Sequence, residues 1–293
     1  MKYFLPFLIL LLILSKTSSA QDSKVKSGFV GRIDESILKA IVNIDIDSST
    51  GTGFIINKGE DIFLVTCKHM VGKWSLVDPF ILSDSIIVHF YPASPDSSIR
   101  QVIHLKDKTG SPSKNLILHP IPDVDIAIIK LNEVYANNPT ISKNYIPLNY
   151  LKPLDSIGNE TSIGFGSQIF TIGYPNGIKL AKSNYPIAKA AFIVSTLSGK
   201  LEVMTYFTNR KNVKVPKKLS TKFFLVDGLI IGGNSGGPII APKDFTYTIN
   251  DKLEFSGMTY PVGNSILGVV SFVWTGVGLT VIYPCDYILE LIK

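Results

Sequence analysis

The 293-residue chain is 45% hydrophobic and 18% charged, with glycine and proline scattered rather than gathered in tracts; this composition excludes a disordered or collagen-like protein and indicates a packed globular one. The formal net charge is +6, and two of the lysines behind it, Lys2 and Lys16, lie near the N-terminus. So small an excess implies no polyanionic partner. The densest basic stretch, 210–218, alternates with Val and Pro and has no interleaved aromatics, so it reads as a solvated loop or hairpin and no nucleic acid is expected to bind.

Residues 1–20 read as a signal peptide: Lys2 gives a positive start, residues 4–14 an apolar core, and Ser18, Ser19 and Ala20 small residues for cleavage before Gln21. The core is too short for a membrane-spanning helix, which needs about 20 apolar residues. The remainder is expected to be exported and soluble, secreted or periplasmic, with no stable membrane insertion once the leader is gone. A short helix is expected over 33–40. Short β-branched runs follow at 40–46, 53–56, 62–66 and 86–90, and the long connection 73–122 should hold strands of its own. The series continues at 125–131, 168–172, 191–196, 222–226, 238–241, 265–272 and 278–282, punctuated by Gly, Pro, Asn and Asp. That spacing predicts an all-β barrel or sandwich. The uncharged stretch 265–284 has the length of a transmembrane helix, but Gly268, Gly276 and Gly278 and its Val and Ile content favour two buried strands joined by a turn. Ile288, Leu291 and Ile292 recur at helical spacing behind Asp286, predicting a closing helix over 286–292.

Cys67 and Cys285 are the only cysteines. In an oxidising compartment they are able to form one disulfide. Their spacing is no metal motif, and neither metal nor cofactor is expected. Cys67 shares a strand side with His69, two residues on, and reads as a structural neighbour rather than a thiol nucleophile.

The strongest chemical signal is the run Gly232, Gly233, Asn234, Ser235, Gly236, Gly237, Pro238, leading into Ile239 and Ile240. Glycines let such a backbone turn sharply and approach a ligand closely, and a serine hydroxyl becomes a useful nucleophile when a neighbouring base takes its proton. His69 ends the apolar run 62–65 where a strand meets a loop, a setting for a general base; His89, His104 and His119 compete for the role and read as surface or loop residues. Asp125 opens the apolar run 126–129. A carboxylate entering a buried region needs donors, and an imidazole N–H is one. Asp123 shares strand parity with Asp125, but Asp125 lies nearer the apolar run and is the candidate for burial, leaving Asp123 exposed.

With these motifs the chain resembles the trypsin-like peptidases, in particular the catalytic domains of the high-temperature-requirement group of bacterial envelope proteases. The order His, Asp, Ser is that of chymotrypsin. Further matches are the run from Gly51 to Ile56, the run from Ile172 to Gly177, and Gly276 to Leu279. The resemblance covers essentially the whole chain after the leader. It implies two six-stranded antiparallel β-barrels with a short C-terminal helix: 21–293 as one peptidase domain, 21–150 the first barrel, 151–293 the second. It further implies Ser235 as nucleophile, His69 as general base, Asp125 orienting the imidazole, and the backbone N–H groups of Gly233 and Ser235 as oxyanion hole. Ser271 matches a position on the strand that pairs with substrate and approaches the buried acid. At the base of the primary pocket, six residues before the nucleophile, stands Leu229 where the basic-specific enzymes carry an acid, so apolar residues are expected before the scissile bond. No segment after the terminal helix matches the peptide-binding domain usual in the high-temperature-requirement group.

The function expected is therefore an exported serine endopeptidase acting on protein or peptide substrates. The competing assignment is a catalytically inactive relative that binds peptides or a partner. A serine esterase of the α/β type fits poorly: Gly233, Ser235 and Gly237 satisfy its motif, but there the nucleophile lies between strand and helix and the histidine comes last.

Overall fold

The computed structural model describes residues 33–92, 98–160, 163–179, 184–197, 200–228, 230–242, 244–249, 255–262, 264–274 and 277–293. The leader expected over 1–20 and the pocket residue Leu229 lie outside the described residues. In chain order the strands of the first half are β1 (Ile41–Ile46), β2 (Ser49–Lys58), β3 (Asp61–Thr66), β4 (Gly72–Lys73), β5 (Ile81–Leu82), β6 (Ser85–Phe90), β7 (Ile99–His104), β8 (Leu116–Leu118), β9 (Ala127–Lys130) and β10 (Ile146–Pro147). Those of the second half are β11 (Gln168–Gly173), β12 (Ile187–Ile193), β13 (Leu201–Thr208), β14 (Lys214–Thr221), β15 (Phe224–Asp227), β16 (Pro238–Ala241), β17 (Asp244–Ile249), β18 (Phe255–Val262), β19 (Ser265–Trp274) and β20 (Leu279–Pro284).

The first half forms one curled sheet in the order β7-β6-β1-β2-β3-β9-β8, with β10 added in parallel to β2. Its middle strands carry β-branched residues that suit a pleated, buried surface, and residues 51–56 of β2 are buried on both faces. The turn between β1 and β2 places Asp47 at φ 49, the left-handed conformation that tight hairpins demand and that Asp tolerates. The second half closes as a six-stranded barrel, β11-β12-β15-β20-β19-β16. Its core is Ile169, Ile193, Phe224, Val226, Leu267 and Ile282 with their neighbours. The expected pair of barrels is thus realised as a curled sheet whose end strands β7 and β8 do not pair, followed by a closed barrel.

Both sheets fall in one compact unit, Asp34–Ala241 with Asn264–Lys293. Residues between Ala241 and Asn264 belong to a second unit, in which β17 and β18 pair as an antiparallel hairpin. The uncharged stretch 265–284 is two antiparallel strands, β19 and β20, and among the described residues no helix is long and apolar enough to cross a membrane. The closing helix runs Asp286–Leu291. Asp286 ties it to the barrel by accepting hydrogen bonds from the Leu154 N–H at 2.9 Å and the Lys222 ammonium at 3.1 Å.

The basic stretch 210–218, expected as a solvated loop or hairpin, is part of a hairpin in which, among the described residues, β13 pairs with β14 alone, inserted between barrel strands β12 and β15.

Candidate active site

β3 delivers His69. The strand ends at Thr66, Cys67 is extended, and a short 3-10 turn at Lys68–Met70 lifts the imidazole out of the sheet. β3 pairs with β9, Thr66 opposite Ala127, so the residues just before β9 meet those just after β3. Asp125 consequently lies beside His69: its carboxylate accepts from Nδ1 at 2.6 Å and from the His69 backbone N–H at 3.1 Å. The Ser271 hydroxyl adds a third bond to the same carboxylate at 2.5 Å. Asp125 is 0% exposed, and these donors replace the water a buried carboxylate loses. With Nδ1 donating, Nε2 is the lone-pair nitrogen of the ring. Burial pushes the His69 pKa down, but the charge and hydrogen bond of Asp125 push it up by more, leaving it above the ordinary imidazole value.

Ser235 sits on the turn before β16. Its hydroxyl donates to the Ser271 carbonyl at 3.0 Å rather than to His69. Both side chains open into one cleft of about 430 Å³, with Trp74, Ile230, Ile231, Val270 and Val273 among its walls. The imidazole and the hydroxyl are therefore presented to the same space with no hydrogen bond between them, a looseness common in unliganded catalytic sites.

The turn is fixed by the two glycines at positive φ, Gly233 (94) and Gly236 (84). A Cβ on Gly233 would run into the Tyr174 carbonyl, and one on Gly236 into the Thr52 carbonyl and Thr66 hydroxyl. Around them the backbone is tied down: Asn176 N–H donates to the Gly232 carbonyl at 2.7 Å, the Thr52 hydroxyl to the Gly233 carbonyl at 2.6 Å, and Thr52 N–H to the Ser235 carbonyl at 2.8 Å. A trans peptide points its N–H opposite its C=O. Capture of the Gly232 carbonyl by Asn176 therefore turns the Gly233 N–H the other way. Among the described residues neither that N–H nor the Ser235 N–H meets an acceptor.

Three further residues shape the site beyond those the motifs mark. Thr52 is the hub that joins the first sheet to the Ser235 turn, accepting also from Tyr174 N–H at 3.1 Å; its signal is the Gly51-Thr52-Gly53 run. Trp74 walls the cleft, held by its indole N–H on the Pro122 carbonyl at 3.1 Å. Asp123, expected exposed, is half-buried and paired with Lys217 of β14 at 2.9 Å. Two of the competing histidines bond elsewhere, His89 to Asp45 at 2.7 Å and His119 to Glu290 at 3.2 Å.

The two cysteines are free and buried. Each donates to a carbonyl of β19, Cys67 to Val270 and Cys285 to Ile266, both at 3.1 Å. Burial pushes both thiols well above their usual pKa, helped by the charge of Asp125 beside Cys67 and of Asp286 beside Cys285, which disfavours the thiolate that a nucleophilic cysteine needs. Cys67, His69 and Asp125 hold potential metal-ligand atoms within 4.8 Å of one another. The 2.6 Å His69–Asp125 bond leaves no room for a cation between that pair.

The profile of the trypsin-like peptidase domain matches residues 51–245. No curated protein matches the chain. Among solved structures, the active form of the Rv3671c protease from M. tuberculosis is 14% identical, with 88% of this chain and 81% of that one covered and a TM-score of 0.46. An HtrA-type protease, AlgW with a tripeptide, is 18% identical over 88% of this chain and 60% of that one, with a TM-score of 0.45.

Proposed function

The chain belongs to the trypsin-like peptidase domain family and is a serine endopeptidase; from that premise we propose that it cleaves polypeptides through Ser235, with His69 as base and Asp125 holding the imidazole. The observation that carries this reading is the buried Asp125 carboxylate on His69 Nδ1, 2.6 Å away, with the free face of the ring and the Ser235 hydroxyl opening into one cleft.

Substrate binding swings the Ser235 hydroxyl from the Ser271 carbonyl to His69 Nε2. Attack on the scissile carbonyl sends the hydroxyl proton to Nε2, and the negative charge forming on the substrate oxygen is met by the Gly233 and Ser235 N–H groups. His69 then returns its proton to the leaving amine. Water, deprotonated by His69, releases the acyl group by the same steps reversed. Asp125 fixes the tautomer and stabilises the transient imidazolium; Ser271 positions Asp125. Ile230, Ile231, Val270 and Val273 make the pocket beside Ser235 apolar, which supports a preference for an apolar residue before the scissile bond. The N-terminal charge, apolar core and small-residue cleavage site support export to a secreted or periplasmic location.

The test is hydrolysis of casein and of fluorogenic peptides by the wild-type protein beside Ser235→Ala and His69→Ala. Cleavage lost in both variants, with folding retained, is the expected result; cleavage surviving Ser235→Ala contradicts the assignment.

A further inference from the structure

Asp125 reaches His69 from the segment 119–125, in which Pro120 and Pro122 have no N–H with which to join a sheet ladder. The segment is held by its carbonyls instead. Three in succession are caught by side chains from separate parts of the fold: Ile121 by the Lys68 ammonium at 2.9 Å, Pro122 by the Trp74 indole N–H at 3.1 Å, and Asp123 by the Tyr283 hydroxyl. At the start of the segment His119 accepts the Ile121 N–H on Nδ1 at 3.3 Å, so its own proton lies on Nε2, toward Glu290 of the closing helix.

Lys68 is the unexpected member of this set. It precedes His69 in the same 3-10 turn and is only 5% exposed. Its hydrogen bond goes to a carbonyl rather than to a carboxylate, while its ammonium lies in the fields of Asp125 and Asp123. Burying a cation without a close counterion costs stability. The Ile121 carbonyl does not need it, since it also accepts from the Val124 N–H at 3.1 Å. Folding alone therefore gives no reason for a lysine at this position. Its charge does: it acts on a carboxylate that is ionised at 0% exposure, and it fastens that carboxylate's segment to the turn carrying the base.

We propose that Lys68 is a positioning residue of the peptidase, its charged amine anchoring the segment 119–125 to the His69 turn and so keeping Asp125 seated on the imidazole. The inference rests on the reading of Ser235 and His69 as the catalytic centre. Burial lowers the Lys68 pKa to about 8 against the pull of Asp125 and Asp123. The groups around it change charge elsewhere. Burial, and in smaller part the Lys68 charge, hold His119 below the ordinary imidazole value against the pull of Glu290. Burial keeps Tyr283 and Cys67 protonated well above their ordinary values, His69 titrates on the acid side, and Lys217 is paired with Asp123. As a neutral amine Lys68 makes a hydrogen bond of about half the strength and loses its attraction for both carboxylates. Because its folded pKa lies below the unfolded 10.5, its own contribution to stability rises as pH climbs from about 8. Activity lost in that window is not loss of fold.

The test measures kcat, KM and melting temperature for the wild type, Lys68→Met and Lys68→Arg across neutral and alkaline pH, with a fluorogenic peptide as substrate. The His69 Nδ1 proton resonance is followed for the same residues at position 68 in full-length Ser235→Ala protein. Lys68→Met is expected to lower kcat about 10–10²-fold with KM little changed, to melt no lower than the wild type, and to displace the Nδ1 resonance. The wild-type kcat should fall as pH rises past about 8; Lys68→Arg, charged throughout, should recover most of the rate and lack that fall. A wild-type kcat in Lys68→Met, an alkaline fall that persists in it, or a loss that tracks a lowered melting temperature with the Nδ1 resonance in place, overturns the proposal. A wild type that cleaves nothing sinks the catalytic reading instead, and the Nδ1 resonance then decides whether Lys68 seats Asp125.

Discussion

Replacing Asp125 by Asn keeps the side chain's shape and exchanges a carboxylate for an amide with one acceptor. The carboxylate accepts from His69 Nδ1, from the His69 N–H and from the Ser271 hydroxyl. If the amide carbonyl stays with the His69 N–H, the amide NH₂ faces Nδ1, and the imidazole must shift its proton to Nε2. The base then has no lone pair for Ser235. In a Ser-His-Asp site this tautomer fault costs about 10⁴ in kcat, or about 5.4 kcal/mol of transition-state stabilisation. Asp123→Asn provides the contrast, since the 2.9 Å pair with Lys217 has 30% and 22% of its two side chains exposed. A partly exposed pair is worth about 0–1 kcal/mol, so turnover should fall about fivefold at most. The assay is kcat/KM on a fluorogenic peptide with folding checked by circular dichroism. Activity of Asp125→Asn within tenfold of wild type, or equal losses from both substitutions, would refute the argument.

The His69 ring in Ser235→Ala should titrate above the ordinary 6.5, because the Asp125 charge and hydrogen bond outweigh burial; adding Asp125→Asn should bring it below 6.5, as read by histidine NMR. With the folded pKa raised, the His69–Asp125 pair contributes stability that is full below the unfolded value and lost as pH rises through the folded one. Gly233→Ala puts a Cβ at φ 94 and into the Tyr174 carbonyl; turning the amide away should lower kcat by about 10²–10³, and a wild-type rate would show that the N–H is not used. Native protein should resist iodoacetamide and keep its melting temperature in reductant, since both cysteines are free and buried; alkylation before unfolding, or a fall in Tm on reduction, would contradict this.

How legible the fold was depended on the range of the contacts involved. β16 reads directly as 238–241, because an apolar run bounded by Pro238 and a loop leaves little else for it to do. The choice of Asp125 over Asp123 also follows from local burial, and the structure places Asp125 on His69. Asp123 was misjudged as exposed because its partner Lys217 lies far along the chain on a hairpin. The composition of β14, with Lys214, Pro216, Lys217 and Lys218, suits a solvated loop and a hairpin alike, and the pairing with β13 decides for the hairpin. The curl of the first sheet was likewise illegible, since closure depends on whether β7 and β8 meet. The resting bond from Ser235 to the Ser271 carbonyl is a matter of one torsion, which no motif encodes.

The central claim is that Ser235 is a nucleophile made reactive by His69. A fluorophosphonate probe, followed by peptide mass mapping, tests it most directly. The account predicts one adduct, on Ser235, absent from Ser235→Ala and formed far more slowly in His69→Ala. Labelling that persists in Ser235→Ala, or that proceeds at the wild-type rate without His69, would contradict it.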